Sequence, residues 1–122
     1  MSLFNRWRQD VAGATAVEFA VLGPVFLTLI YGVLQGGLML WTQLALQQAT
    51  ERAARCASIN TSVCGTSTQT QEFAATQTLG RNLPSDSFTV TTQPCGSFVS
   101  GAYATELLTY TIGLKAQSCF PK

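Results

Sequence analysis

The sequence GATAVEF, residues 13–19, opens an apolar run that continues to Trp41 and decides the fold of this chain. Residues 19–41 contain no charged side chain. As a helix they would extend about 35 Å, which is enough to cross a hydrocarbon core of about 30 Å. Cleaved secretory signals have shorter apolar cores, of about 7 to 15 residues. The run therefore predicts a membrane-spanning anchor, with Trp41 at the membrane–water interface.

Charges at the N-terminal side of this run predict its orientation. Arg6 and Arg8 precede the first acidic residue, Asp10. Basic residues beside a span favour the cytoplasmic side, so we expect the N-terminus to stay in the cytoplasm and the chain beyond Trp41 to lie outside. A lone carboxylate, Glu18, stands at the head of the run. Because a charge at lipid depth is costly, Glu18 is expected to have a functional role.

The helical pattern continues past the predicted membrane segment. Leu46, Ala49, Ala53 and Cys56 recur at spacings of three and four, which predicts one long helix over residues 14–57. Within the span, Gly32 and Gly36 form a small-xxx-small pattern that allows two helices to approach closely in lipid. Glycine is also common in membrane helices without any special role, and both interpretations stay open.

The residues after this helix predict a small domain. Residues 58–70 are polar and are predicted to form a loop. Thr68 with Gln71 has the spacing of a capping box, so a short helix is expected to begin there and to end before Gly80 and Pro84.

Two stretches near the C-terminus alternate apolar and polar residues. Residues 88–92 and 107–116 are therefore predicted to be strands, with a third short strand near Phe98 and Val99. The aromatic side chains of this region are expected in the core. They are Phe88, Phe98, Tyr103 and Tyr110. The resulting fold class is α+β, with a long N-terminal transmembrane helix, a short helix and an antiparallel sheet of two or three strands.

All four cysteines lie beyond the apolar run, in a region rich in Ser and Thr. An even number of cysteines in an exported region predicts disulfides that staple a small domain. Of the three possible connectivities we favour Cys56 with Cys64 and Cys95 with Cys119. The spacings match no zinc motif and the chain contains no histidine, so neither a metal site nor a thiol nucleophile is expected.

Composition argues against several other functions. The net charge is +1 and basic residues are not clustered, which is unlike a nucleic-acid-binding surface. The carboxylates of the outer region, such as Glu72 and Glu106, are scattered, so no acid/base pair is indicated. No phosphate-binding glycine loop is present in the sequence. The chain is therefore not expected to be an enzyme, to carry a cofactor or to take a small-molecule substrate.

The motif at the start of the span resembles a known processing site. Gly13, Glu18 and Phe19 are arranged as in type IV prepilin-like proteins, and residues 13–24 with Pro24 in register are similar to the TadE-like family of pseudopilins of tight-adherence (Flp) pilus systems. The resemblance covers roughly residues 6–50. It implies that a membrane aspartyl prepilin peptidase cuts after Gly13, leaving Ala14 as the N-terminus. The amine released there would be a counter-charge for Glu18.

The resemblance also implies an organisation and a role. Residues 1–13 would be a cleaved cytoplasmic leader, residues 14–57 a helix spanning the membrane at about 19–41, and residues 58–122 an extracytoplasmic, pilin-like domain. The protein would be a minor pilin or pseudopilin in the bacterial inner membrane, with a periplasmic outer domain that could reach the pilus or cell surface after assembly. Expected partners are the peptidase, the inner-membrane assembly platform, other pilins and the lipid bilayer. Fibre subunit, tip protein and membrane-retained assembly factor remain alternatives.

Two other classes of protein fit parts of the sequence. One is an uncleaved, signal-anchored extracytoplasmic binding module, in which Gly13 would be incidental. The other is a secreted protein cut by ordinary signal peptidase, which the length of the apolar run disfavours. The N-terminal residue of the natural product separates the first of these from the pilin interpretation, because it would be Met1 and not Ala14.

Overall fold

A computed structural model of the chain describes residues 11–107 and 109–122, with side chains from Gly13 onward. The α+β fold class is confirmed: a long apolar N-terminal helix precedes short helices, a three-stranded antiparallel sheet and two disulfides. Contacts divide the chain into two compact units, which meet between Gly36 and Gly37. The elements are α1 Val11–Ile59, α2 Thr61–Cys64, α3 Ser67–Thr76, a 3-10 turn Ser85–Ser87, β1 Phe88–Gln93, β2 Gly96–Leu107 and β3 Tyr110–Phe120.

The first unit is helical throughout its described part, and its apolar side chains are exposed. Phe19, for example, is 79% exposed. The most apolar 18-residue window of the helix has a mean hydropathy of 2.0, and none of it is buried within the molecule. Exposed apolar surface on this scale is typical of a lipid-facing helix. The first unit is therefore compatible with a single-pass membrane anchor.

In the second unit, α1 buries a continuous stripe of side chains against the sheet. Leu46, Ala49 and Ala53 are fully buried, as their spacing predicted. The helix lies very close to the central strand: a Cβ atom built on Gly101 of β2 would lie 2.8 Å from Leu46 Cδ1 and 3.1 Å from Thr50 Cγ2. Small side chains on the helix and a glycine on the strand thus make this close packing possible.

The sheet has the order β1-β2-β3, and both pairings are antiparallel. Phe88 pairs with Gly101 at the start of β1, and Leu107 pairs with Tyr110 at the far end of the β2–β3 hairpin. The core of the second unit lies between the sheet and α1. Its fully or nearly fully buried apolar side chains from the sheet are Phe88, Val99, Leu114 and Ala116.

Helix α3 packs beside β1, and its Ala74 lies in the same buried core as Ala49 and Ala53 of α1, but the helix begins two residues earlier than predicted. The capping box is formed by Thr66 and Gln69, so the prediction of Thr68 and Gln71 is wrong. Both pairs have the same spacing, and sequence alone does not distinguish them. The tertiary structure decides because Gln71 Nε2 donates to the Phe88 carbonyl of edge strand β1 at 2.7 Å.

Several element bounds also differ from the predictions. The predicted loop 58–70 contains α2, and the short strand predicted near Phe98 is the 12-residue β2. Strand β3 begins at Tyr110, because Leu107 ends β2, and Leu108 lies outside the described residues. Tyr110 is not in the core but is 75% exposed. Alternate side chains of β3 face the core only from Ile112 onward, because the start of the strand extends past the buried core.

The disulfides are Cys56–Cys64 and Cys95–Cys119, which is the pairing that the sequence favoured. The first joins the end of α1 to the end of α2. The second joins the turn between β1 and β2 to the end of β3. Each closes a loop in the unfolded chain and is expected to stabilise the domain by roughly 2 to 4 kcal/mol.

The close approach at Gly101 leads to a stability prediction. Gly101→Val places new methyl groups against Leu46 and Thr50, so we expect unfolding to become easier by about 1 to 3 kcal/mol. Gly113→Val in β3 is the matched control, because no described atom lies within 4 Å of a Cβ built there. Thermal unfolding of both full-length variants in detergent, followed by circular dichroism, measures the difference. Equal stability of the two variants would contradict the packing described here.

Candidate functional site

The predicted processing site lies on an accessible helix. Gly13, Ala14, Glu18 and Phe19 are all exposed, and the peptide bond after Gly13 is within the helical backbone. No described atom lies within 4 Å of a Cβ built on Gly13. A protease that needs extended substrate would have to unwind this part of the helix, and glycine reduces the free energy of doing so. The geometry therefore leaves the bond open to an enzyme in or at the membrane.

Glu18 carries the first negative charge of the described chain, and no described cation is near it in sequence. The five described basic residues all lie at residue 52 or beyond. Because residues four apart on a helix are neighbours, an amine at Ala14 would lie about one turn, roughly 6 Å of axial rise, from Glu18. Cleavage after Gly13 would thus create a cation beside the carboxylate.

The glycine pair lies on the same face of the helix as the carboxylate. At roughly 100° per residue, Glu18 and Gly36 fall at the same angular position, and Gly32 lies about 40° away. The carboxylate and Gly36 are separated by about 27 Å along the axis. No described atom lies within 4 Å of a Cβ built on Gly32 or Gly36. We call Glu18, Gly32 and Gly36 the assembly face.

A polar pair that the sequence analysis did not consider borders the assembly face. Gln35 Nε2 donates to the Tyr31 hydroxyl oxygen at 3.1 Å. The spacing of four residues between two polar side chains in an apolar run was the signal that could have identified it. Unused donors and acceptors of these groups are costly in lipid, so they favour a partner that can hydrogen-bond to them. The polar pair and the glycines therefore lie on one side of the helix, and that this side contacts another helix stays a prediction.

One further polar group of the predicted span has its hydrogen bond within the helix. The Thr28 hydroxyl donates to the Pro24 carbonyl at 2.7 Å. Arg6 and Arg8, which predict the membrane orientation, lie outside the described residues. The orientation that they imply stays a prediction.

The second unit contains a hollow of about 170 Å³ at the start of α3. Hydroxyl groups line much of it, but the hydroxyl groups of Thr66 and Thr70 form hydrogen bonds to nearby backbone groups. Thr66 accepts the Gln69 backbone amide as the helix cap, and the Thr70 hydroxyl contacts the Cys64 and Thr66 carbonyls. No group of three or more His, Cys, Asp or Glu side chains suited to a metal ion occurs among the residues described.

Comparison with protein families gives one match. Residues 13–55 match the family model described as TadE-like protein. The matched segment begins at the predicted cleavage site and includes the whole assembly face, and it ends within the part of α1 that packs on the sheet. The resemblance drawn from residues 13–24 is thereby confirmed, and the match extends it over residues 13–55. Neither the curated proteins nor the solved structures include a significant match to the chain.

The assembly face predicts how the span should respond to bulky residues. Gly32→Ile and Gly36→Ile add branched side chains to the predicted contact surface, so we expect association with other pilus components to weaken by about 1 kcal/mol or more, about fivefold. Gly37→Ile is the matched control, because residue 37 lies at almost the same depth but about 100° around the helix. A two-hybrid assay in bacterial membranes measures the association. If Gly37→Ile weakens it as much, the face is wrongly identified.

Proposed function

We propose that this chain, a TadE-like protein over residues 13–55, is a minor pilin or pseudopilin of a Tad/Flp-type pilus. A prepilin peptidase cleaves it after Gly13, and the mature protein takes part in pilus assembly, adhesion or tip formation. It is a substrate of that peptidase and not itself an enzyme. Its partners are the peptidase, the inner-membrane assembly platform, other pilins or pseudopilins and the bilayer.

One observation carries this proposal. The family match begins at Gly13, and from that residue the chain forms a helix whose apolar run has exposed side chains and is preceded by one carboxylate, Glu18. An ordinary signal anchor needs the apolar helix but has no use for a charge near lipid. A processed pilin uses both, because the helix supplies the anchor and the carboxylate supplies a contact for assembly.

Processing changes the electrostatics of the helix. Water and the peptidase's carboxyl groups hydrolyse the Gly13–Ala14 bond, which releases the leader with a new carboxylate and leaves an ammonium group on Ala14. The positive end of the helix dipole then lies at Ala14 as well. Glu18 lies about one turn from the start of the shortened helix, where both positive charges stabilise its carboxylate. Cleavage therefore makes the membrane-embedded end of the mature protein close to neutral.

The same pair of charges can act between subunits. The Ala14 ammonium of one helix can pair with Glu18 of a neighbouring helix. Both charges are then neutralised only at one particular axial offset between the two helices. The glycines of the assembly face then allow the backbones to approach at the other end of the span. Charge pairing thus sets the register and close packing supplies the contact area.

The location follows from the same proposal. The N-terminus lies in the cytoplasm, α1 crosses the inner membrane once, and the second unit lies in the periplasm. An oxidising compartment suits the two disulfides of this unit. Major Flp pilins resemble little more than the helix, so the additional domain is suited to a subunit present in small numbers, at a tip or in a priming complex.

The first prediction of this proposal concerns cleavage. Gly13→Leu places a branched side chain at the bond to be cut and should leave full-length precursor in the membrane, whereas Gly13→Ala should be cut at a reduced or normal rate. Mass spectrometry of protein from cells that express the pilus system identifies the N-terminus. Wild-type protein should begin at Ala14. An intact Met1 in wild-type protein would instead support the uncleaved anchor, and normal cutting of Gly13→Leu would refute the assigned site.

The second prediction separates processing from assembly. Glu18→Ala removes the carboxylate but keeps the helix and the cleavage site, so the variant should still be cut yet fail to co-purify with other pilins. Glu51→Ala is the matched control, because Glu51 is an exposed glutamate of the same helix outside the predicted span. If Glu18→Ala co-purifies as well as the control, Glu18 has no role in assembly.

A further inference from the structure

The hollow at the start of α3 lies between three parts of the second unit. Ala57 of α1, Ser67 of α3 and Ser97 of β2 all line it. Its volume of about 170 Å³ is similar to that of a cavity of about 150 Å³ that takes up benzene, so a small ligand or the end of one side chain has room there. Every residue that lines it lies beyond residue 55, outside the segment that the family model matches.

Ser97 is a buried polar residue whose hydroxyl group the fold does not use. The residue is only 4% exposed, and it lines the hollow. Its hydroxyl has no hydrogen-bond partner among the described residues, yet none of their polar side-chain atoms is both sealed from solvent and unpartnered. The Ser97 hydroxyl therefore opens into the hollow, where it can donate to a bound group. Because a buried hydroxyl without a partner costs free energy, a ligand that bonds to it is favoured.

The first turn of α3 supplies backbone donors at the same hollow. The capping box satisfies the amides of Thr66 and Gln69. The amides of Ser67 and Thr68 have no acceptor within the described part of the chain. A helix N-terminus carries a partial positive charge, and its free N–H groups bind anions. Since Ser67 itself lines the hollow, this end of the helix favours an anionic ligand there.

The other lining residues agree with a ligand that carries one negative charge. Among the described residues around the hollow, none is Asp or Glu, and Lys122 is the one with a charged side chain. Thr92 pairs with Ser97 across β1 and β2 and adds a hydroxyl on the same face of the sheet. One lysine and one helix end match the single charge of a carboxylate better than the double charge of a phosphate. A carboxylate also has two oxygens, which can accept from an amide and a hydroxyl at once.

The donors are held in place by the surrounding structure. The Cys56–Cys64 disulfide joins the end of α1 to α2, which leads into α3. The Thr70 hydroxyl contacts the Cys64 carbonyl at 3.2 Å. Gly65 makes the tight connection possible, because a Cβ atom built there would overlap the Thr61 carbonyl oxygen. A site that is fixed before its ligand arrives loses little conformational entropy on binding.

We propose that the hollow at the start of α3 binds a carboxylate group, which accepts from the Ser67 amide and the Ser97 hydroxyl. A small free acid and an Asp or Glu side chain of another protein offer the same chemistry, and the experiment separates these two sources. The proposal does not depend on the role in a pilus, because the hollow belongs entirely to the second unit.

Nuclear magnetic resonance of the isotope-labelled, full-length protein in detergent micelles tests this site. Sodium propionate is added at constant sodium concentration. We expect saturable shifts of the Ser67 and Thr68 amide signals, with a millimolar Kd, and no saturable shift with the neutral analogue propionamide. Ser97→Ala should weaken propionate binding by about threefold to tenfold, because one hydrogen bond is lost. Ser100→Ala is the matched control, since Ser100 is a half-buried serine on the opposite face of the same strand, and it should bind propionate like the wild type.

A capped Gly-Glu-Gly peptide presents the carboxylate as a side chain. Binding of propionate alone identifies a free acid as the ligand, whereas binding of the peptide identifies a protein side chain as a possible source. The absence of a saturable shift with both probes refutes the site. Equal shifts with propionamide refute the assignment to a carboxylate. If Ser97→Ala binds propionate as tightly as Ser100→Ala does, the hydroxyl of Ser97 is not part of the site and the proposal is overturned.

Discussion

Helix α1 has to place its side chains in two different environments, and the rest of the structure depends on how it does so. In its first part the side chains are large and exposed, as Phe19 illustrates, and lipid can cover them. In its second part the buried stripe is mostly alanine, which contributes little apolar area by itself. Such a stripe stabilises a domain only if a sheet lies very close to it, and Gly101 makes that approach possible. The two disulfides add the stability that so small a core does not supply.

Electrostatics connects this architecture to the proposed function. Glu18 stands in a long stretch without cations, in a part of the helix that would be expensive to keep charged in lipid. Proteolysis after Gly13 is the simplest reaction that supplies a positive charge next to it without a partner protein. In the proposed function the same amine would also reach a neighbouring helix, so one cleavage would both neutralise the charge of Glu18 and prepare the subunit for assembly. The glycines on the same face give that assembly a place to make close contact.

The sequence by itself determined the long apolar helix, the glutamate at its start and the α+β class. These conclusions follow from the length of the uncharged run, from Glu18 just before it and from the spacing of Leu46, Ala49 and Ala53. All three are local patterns, which can be read from a single sequence. Only the tertiary structure decided where α3 begins. Thr66 and Thr68 have the same capping-box spacing in the sequence, but Gln71, the partner of Thr68, hydrogen-bonds to β1. It also decided the length of β2 and the exposure of Tyr110, because these depend on how far a hairpin extends beyond the core it covers. Contacts between residues distant in sequence set such features, and a pattern along the chain does not contain them.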